Sequence, residues 1–488
     1  MTEREKIAHV FRRLGLGATK TELDQFEKLG IQAAIDHLID FEKVDEGFPI
    51  TPWEFCFEEG KEEMYLDPYR TATWWSLRFL LTKRPFQEKL TLFWHNHFAV
   101  SGAKVEIGPM MLTYAETLRK FGPGKFSDLL KLVSIEPAMI KWLDTDSSTK
   151  AHPNENFARE VMELFTLGIG NYTEKDVQEA ARTFTGWGIR YLIFEAGGEH
   201  VQDKAKEAAA KDEPMVVFSV SPTLQDPGQK TVLGHTSKFE GLEVLELLAA
   251  RPETAKFVCS KLWSFFAYPA PEPAVVDHLT GVWNATGGDT RSIVREMTKM
   301  PEFWSEKCVR RQVKSPVDFV VPILRQFELQ DIILASRAKD AKSLAPPAKT
   351  LRDTAGLVLG SLYQQGMLLL FPPDVSGWKW GEAWISANNM TERIKFAGLI
   401  FGVGQPDQPL AAYLGTKIAS GKPTDSTQVA QSILEIFDAS LPADKLGTLK
   451  EAIDKAGGPA SLGDKKKASD LLGSTCKLLF SSPEFQLC

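Results

Sequence analysis

Two carboxylates one helical turn apart, with an amide beside them, can hold a hard cation or position a water. Residues 152–170, HPNENFAREVMELFTLGIG, carry that pattern. On a helix, Asn156, Glu160 and Glu163 fall at i, i+4 and i+7 and make a polar stripe, while Phe157, Val161, Leu164 and Gly168 make an apolar one. Arg159 reaches Glu155 or Glu163 at i±4. A solvated row of i,i+4 ion pairs has the same pattern, and such pairs are common. Apolar residues on most of the remaining face argue for partial burial. The stripe is therefore a candidate site, with Glu160 and Glu163 as metal ligands or acid/base groups and Asn154 and Asn156 as substrate contacts.

The next feature is Phe93-Trp94-His95-Asn96-His97-Phe98. Histidines at i and i+2 lie about 200° apart on a helix and cannot both chelate one ion there. His97 shares a stripe with Phe86, Leu90 and Phe93, so it points inward: either a buried neutral imidazole, or a ligand or base that meets Glu160 and Glu163. Asn96 is placed to cap the helix end. A third feature, Phe371-Pro372-Pro373-Asp374-Val375-Ser376-Gly377-Trp378, reads as a rigid loop, followed by Trp380, Trp384 and a helix carrying Asn388, Asn389 and Arg393. Asp374, Trp378, Trp384 and Arg393 are candidate substrate contacts, although tryptophans in such a loop also simply pack it onto a core. Arg182 is a candidate anion clamp.

These side chains need helices to hold them, and the pattern is mainly α. Thr19 with Glu22, and Thr173 with Asp176, mark helix starts as capping boxes. Asn154 to Leu167 reads as one helix stopped by Gly168 and Gly170. Short β-prone runs at 189–194, 215–220 and 231–233 predict a hairpin or three-stranded insertion near 189–234. Residues 335–348 and 403–425 read as exposed linkers. The resulting division is 1–188, a helical region with the His/Glu constellation; 189–240, the β-containing insertion; 241–402, a helical region with the PPDVSGW loop; and 403–488, a further helical region, all in one continuous body.

The chain has 488 residues, a net charge of −7 and five cysteines. It is long enough to bury a large core without metal or disulfide staples. The acidic balance lacks the basic footprint of a nucleic-acid binder. No Cys pair has CxxC spacing. There is no GxGxxG, Walker A, HExxH or GxSxG motif, which disfavours dinucleotide, P-loop, zincin and α/β-hydrolase chemistry. No run of about 18 apolar residues is present, so no membrane span is expected. The N-terminus lacks a secretory h-region, so the expected location is the cytoplasm.

The segments AHVFRRLGLGAT (8–19), RPFQEKLTLFWHNHFAVS (84–101), NENFAREVMELFTLGIGNYTEKDVQEAARTFTGW (154–187), KTVLG (230–234), KSPVDFVV (314–321), FPPDVSGW (371–378) and SPEFQ (482–486) run from end to end. In these the chain resembles the bacterial family called domain of unknown function 1800. The resemblance brings no reaction with it. It implies a partner, since members often occur beside a protein of the alkaline-phosphatase-like class. Many members look exported, unlike this chain. Members tend to have His-Asp before the KTVLG stretch, where this chain has Gln225-Asp226.

Two function classes follow. One is a metal-assisted hydrolase, with a divalent metal on His97, Glu160 and Glu163. The other is a non-catalytic helical partner or chaperone of an alkaline-phosphatase-like enzyme, with the tryptophan loop as its contact surface. Burial discriminates them: an enzyme needs a concave site around His97, a partner protein an exposed apolar face near Trp378 and Trp380.

Overall fold

The computed structural model describes residues 1–194, 201–337, 344–402 and 409–488. Local rules account for most of its elements. Thr19 accepts from the Glu22 N–H at 3.1 Å and Glu22 accepts from the Thr19 N–H at 2.7 Å, which starts the Lys20–Leu29 helix as the capping box predicts. Thr173 and Asp176 start Glu174–Thr183 in the same way. The aromatic-rich stretch after residue 67 forms two helices, Pro68–Leu81 and Pro85–His97, each opened by a proline in the first turn. The result is mainly α. Among the described residues no helix is long and apolar enough to cross a membrane.

Of the two forms expected for the β insertion, a hairpin or three strands, the structure has the hairpin form: among the described residues it is two separate two-stranded antiparallel sheets. Trp187–Tyr191 pairs with Val216–Val220. The run near 231 joins neither. It folds back on itself, Lys230–Val232 pairing with His235–Ser237. Leu233 and Gly234 both have positive φ (48° and 81°), the geometry of a two-residue turn matched to strand twist. A leucine in that position hid the turn from sequence reading.

Two expectations are corrected. Asn154 to Leu167 is not one α-helix: Glu155–Glu160 is α and Val161–Thr166 is a π-helix. The stretch 403–425 contains the helix Pro409–Ser420, which buries Ala411, Leu414 and Ile418 and is therefore not a linker throughout. Its Gly, Pro and Ser content masked an apolar face. Residues 338–343 and 403–408, parts of the two expected linkers, lie outside the described residues.

One buried polar centre ties the N-terminal helices together. Glu88, fully buried on the Pro85–His97 helix, accepts from Arg78 Nε at 2.6 Å, Arg119 Nε at 2.8 Å and Trp75 Nε1 at 2.8 Å. A second centre joins the C-terminal segment to the middle of the chain. Arg393 donates to Gln365 Oε1 (3.0 Å), Gln486 Oε1 (2.7 Å) and the Lys314 carbonyl (2.7 Å). The Lys314 N–H in turn donates to the Gln486 carbonyl at 2.7 Å.

Candidate functional site

The site begins where two helix ends meet. His97 lies in the last turn of Pro85–His97, on the stripe of Phe86, Leu90 and Phe93, and is only 2% exposed. It faces the end of the π-helix Val161–Thr166. The last carbonyls of a helix have no partner within it. Here Leu167 N–H and Gly168 N–H both donate to Met162 O, leaving Leu164 O and Phe165 O to find partners elsewhere. His97 Nε2 pairs with Phe165 O at 3.0 Å, and Lys261 Nζ reaches Leu164 O at 3.5 Å. Since a carbonyl only accepts, Nε2 carries the proton and Nδ1 holds the lone pair. Nδ1 is buried and has no hydrogen-bond partner among the described residues.

Lys261 comes from the helix Pro252–Phe266. Phe257, Lys261 and Phe265 lie at i, i+4 and i+8 there, so the lysine stands between two aromatic rings on one face. Its ammonium lies 4.9 Å from the Phe257 ring centre. Gly168, just beyond the π-helix, packs closely on the same ring.

The third wall is the loop after Phe371. Asn96 Oδ1 accepts the Trp378 N–H at 2.7 Å, so Asn96 anchors this loop as the helix it sits on ends. The neighbouring Gly377 has φ 81°, and a Cβ there would fall 2.6 Å from the Asn96 carbonyl oxygen. Gly377→Ala therefore combines backbone strain with a clash, and is expected to destabilise by about 1–3 kcal/mol and to unseat the loop. A urea midpoint unchanged from the parent would contradict this seating. The loop then carries Trp380 edge-on to Phe265, ring centres 4.8 Å apart.

Between these walls lies a cleft of about 510 Å³, large enough for a small organic ligand. Phe93, Phe265, Pro269 and Trp380 give it apolar sides; Asn96, His97, Lys261, Arg311, Gln312 and Glu382 give it polar groups. Among the described residues Lys261 and Arg311 make no ion pair. Burial without a counter-charge pushes the Lys261 ammonium down to about 8. Burial, reinforced by the Lys261 charge and only partly opposed by the bond to Phe165, holds the His97 imidazole neutral, well below its usual range.

Of the residues read from the sequence as site candidates, His97 lines this cleft; Glu160 and Glu163 do not. Glu163 accepts the Tyr172 hydroxyl proton. Glu160 is half-buried, and burial together with Glu163 raises its carboxyl. Arg159 pairs with Glu155 at 3.2 Å and with Glu174 at 2.7 Å. The expected metal set of His97, Glu160 and Glu163 is not assembled: among the described residues no group of three or more His, Cys, Asp or Glu could hold a metal ion. The backbone at Phe165, not a carboxylate, meets His97.

The other candidates hold structure. Asn154 caps the Glu155–Glu160 helix, accepting from the Asn156 N–H at 2.9 Å, and Asn156 Nδ2 donates to Leu143 O. Arg182 is not a free anion clamp: Asp226 takes its Nε at 2.7 Å, and Glu179 and the Gln229 carbonyl take Nη1. Asp374 closes its own loop through the Ser376 N–H and hydroxyl. Trp378 and Trp384 are 5% and 6% exposed, and Arg393 is fully buried among its three acceptors. Lys261 was missed by sequence reading. Its one local signal is a lone lysine on a helix face otherwise made of phenylalanines.

Residues 9–487 match one family model, described as a protein of unknown function (DUF1800). No curated protein and no solved structure matches the chain.

Proposed function

Because the chain belongs to the DUF1800 family of proteins of unknown function, membership assigns no reaction, and we propose that the protein binds a small organic anion with an apolar body in the His97–Lys261 cleft. The observation that carries this reading is Lys261. An ammonium drawn out of water without a carboxylate partner is unfavourable. An incoming carboxylate or phosphate relieves that penalty, while Phe93, Phe265 and Trp380 cover the rest of the ligand. Arg311, exposed and without an ion pair among the described residues, supplies a second cation.

The rival reading, a helical partner protein that presents its tryptophan loop, needs that loop exposed. Burial of Trp378 and Trp384, and the packing of Trp380 on Phe265, favour the cleft instead.

Calorimetry with benzoate tests the proposal. The free Lys261 ammonium titrates near 8, and a bound anion raises it. Binding therefore takes up protons around pH 8. Affinity holds below pH 8 and weakens above it, by up to about tenfold per pH unit. Lys261→Met is expected to weaken binding by about 10- to 100-fold, the size of a charge-assisted hydrogen bond. Equal affinity in parent and variant, with no pH dependence, would remove the anion site.

A further inference from the structure

We infer that Lys261 is a nucleophile that forms a reversible imine with a carbonyl-bearing organic acid held in the cleft; this rests on the reading of the cleft as a small-anion site. The geometry supplies three things such a step needs. The first is a loosely held amine. Among the described residues Lys261 Nζ has one polar contact, at the outer limit of a hydrogen bond, and a ring face. Among the described residues no carboxylate holds it as an ammonium, and an amine desolvated among aromatic rings is an activated nucleophile. The second is an uncharged neighbour. His97 and Lys261 contact adjacent carbonyls of one helix end, so they stand side by side, and burial holds His97 neutral, so it adds no charge beside the amine. The third is an anchor for the acid group, Arg311, on the same cleft.

The step balances without a redox partner. The Nζ lone pair attacks the carbonyl carbon, a C–N bond forms, and the carbonyl π electrons move to oxygen. That oxygen gains a proton as the attacking nitrogen loses one, giving a carbinolamine. The nitrogen lone pair then forms the C=N bond as the C–O bond breaks, and the nitrogen's remaining proton passes to the departing oxygen, which leaves as water. One amine and one carbonyl become one imine and one water.

The test uses the full chain, 4-formylbenzoate as the probe, and borohydride to reduce the imine, with peptides mapped by mass spectrometry. Benzoate, which lacks the aldehyde, reports anion binding alone. At pH 7.5 the expected result is one label per chain at Lys261, blocked by excess benzoate. The neutral fraction at Lys261 exceeds that of a surface lysine on the order of a hundredfold, which sets the expected selectivity. Lys261→Arg keeps the charge, so it should still bind benzoate but lose the label. If benzoate binds and the label is absent or spread evenly over surface lysines, the imine is wrong and the anion site stands. If benzoate does not bind and the label is spread, both are wrong. Circular dichroism of Lys261→Arg separates loss of the nucleophile from loss of the fold.

Discussion

Replacing Glu88 by Gln should destabilise the protein by about 3–5 kcal/mol, the range seen when one member of a buried ion network is removed. The glutamate side chain is fully buried, and Arg119, itself 3% exposed, depends on it through Nε at 2.8 Å and Nη2 at 3.1 Å. Glutamine keeps the shape but gives up the charge that balances two guanidinium groups. Glu46 stands 3.6 Å from Arg78 and Glu116 pairs with Arg119, so each arginine keeps one weaker or more exposed partner. The effect should therefore stop short of an uncompensated pair of charges. Urea midpoints at pH 7 for Glu88→Gln, Arg119→Met and the double variant measure it. A loss under about 1 kcal/mol in Glu88→Gln would mean that the network holds nothing. The carboxyl also has a pH signature. Burial alone would raise it, but Arg119 and Arg78 overcome burial and hold it near 2. Its contribution is present above about pH 4.5, its ordinary value, and is lost as pH falls toward 2.

A larger effect is expected from acid acting on the buried histidines. Burial, reinforced by Arg12 and Arg13, pushes His9 down to about 2; burial alone pushes His95 down to about 3; His97 lies well below its usual range. All three are neutral in the folded chain. The unfolded chain protonates them below about 6.5, so unfolding takes up protons and acid favours it. Their contribution is complete above pH 6.5 and falls as pH drops toward the folded values. Each histidine contributes a slope of about 1.4 kcal/mol per pH unit, so three together approach about 4 kcal/mol per unit below pH 6. This competes with a total stability of about 5–15 kcal/mol, so cooperative unfolding is expected between roughly pH 5 and 4. The check is the urea midpoint from pH 8 to 5, with His95→Phe as the variant that should flatten the slope by about one third. His95 is the cleanest choice, since among the described residues its only polar contact is the Tyr114 hydroxyl at 3.3 Å and aromatic rings surround it. Stability that is flat from pH 7 to 5 would contradict the neutral state of these groups.

Chain-local features were legible in the sequence because their causes span three or four residues. The capping boxes at Thr19 and Thr173 are formed as their spacing required, and the Phe86, Leu90, Phe93, His97 stripe put His97 in the interior. Family membership was legible as well, because its motifs run the length of the chain. What polar groups would meet was not legible. Arg182 and Arg393 have the residue type of an anion clamp, yet Asp226, 44 positions along the chain, satisfies the first, and Gln486, 93 positions along, helps to satisfy the second. Such pairings depend on which helix ends abut, and no local period encodes that. The π turn at Val161–Thr166 is a second case: one extra residue per turn leaves the hydrophobic pattern almost unchanged but moves the helix end. That end offers Phe165 O to His97 and Leu164 O to Lys261. The helical body was thus determined by sequence periodicity and caps. The cleft was decided only when helices distant in sequence, packing their aromatic faces together, left Lys261 among them without a counter-charge among the described residues.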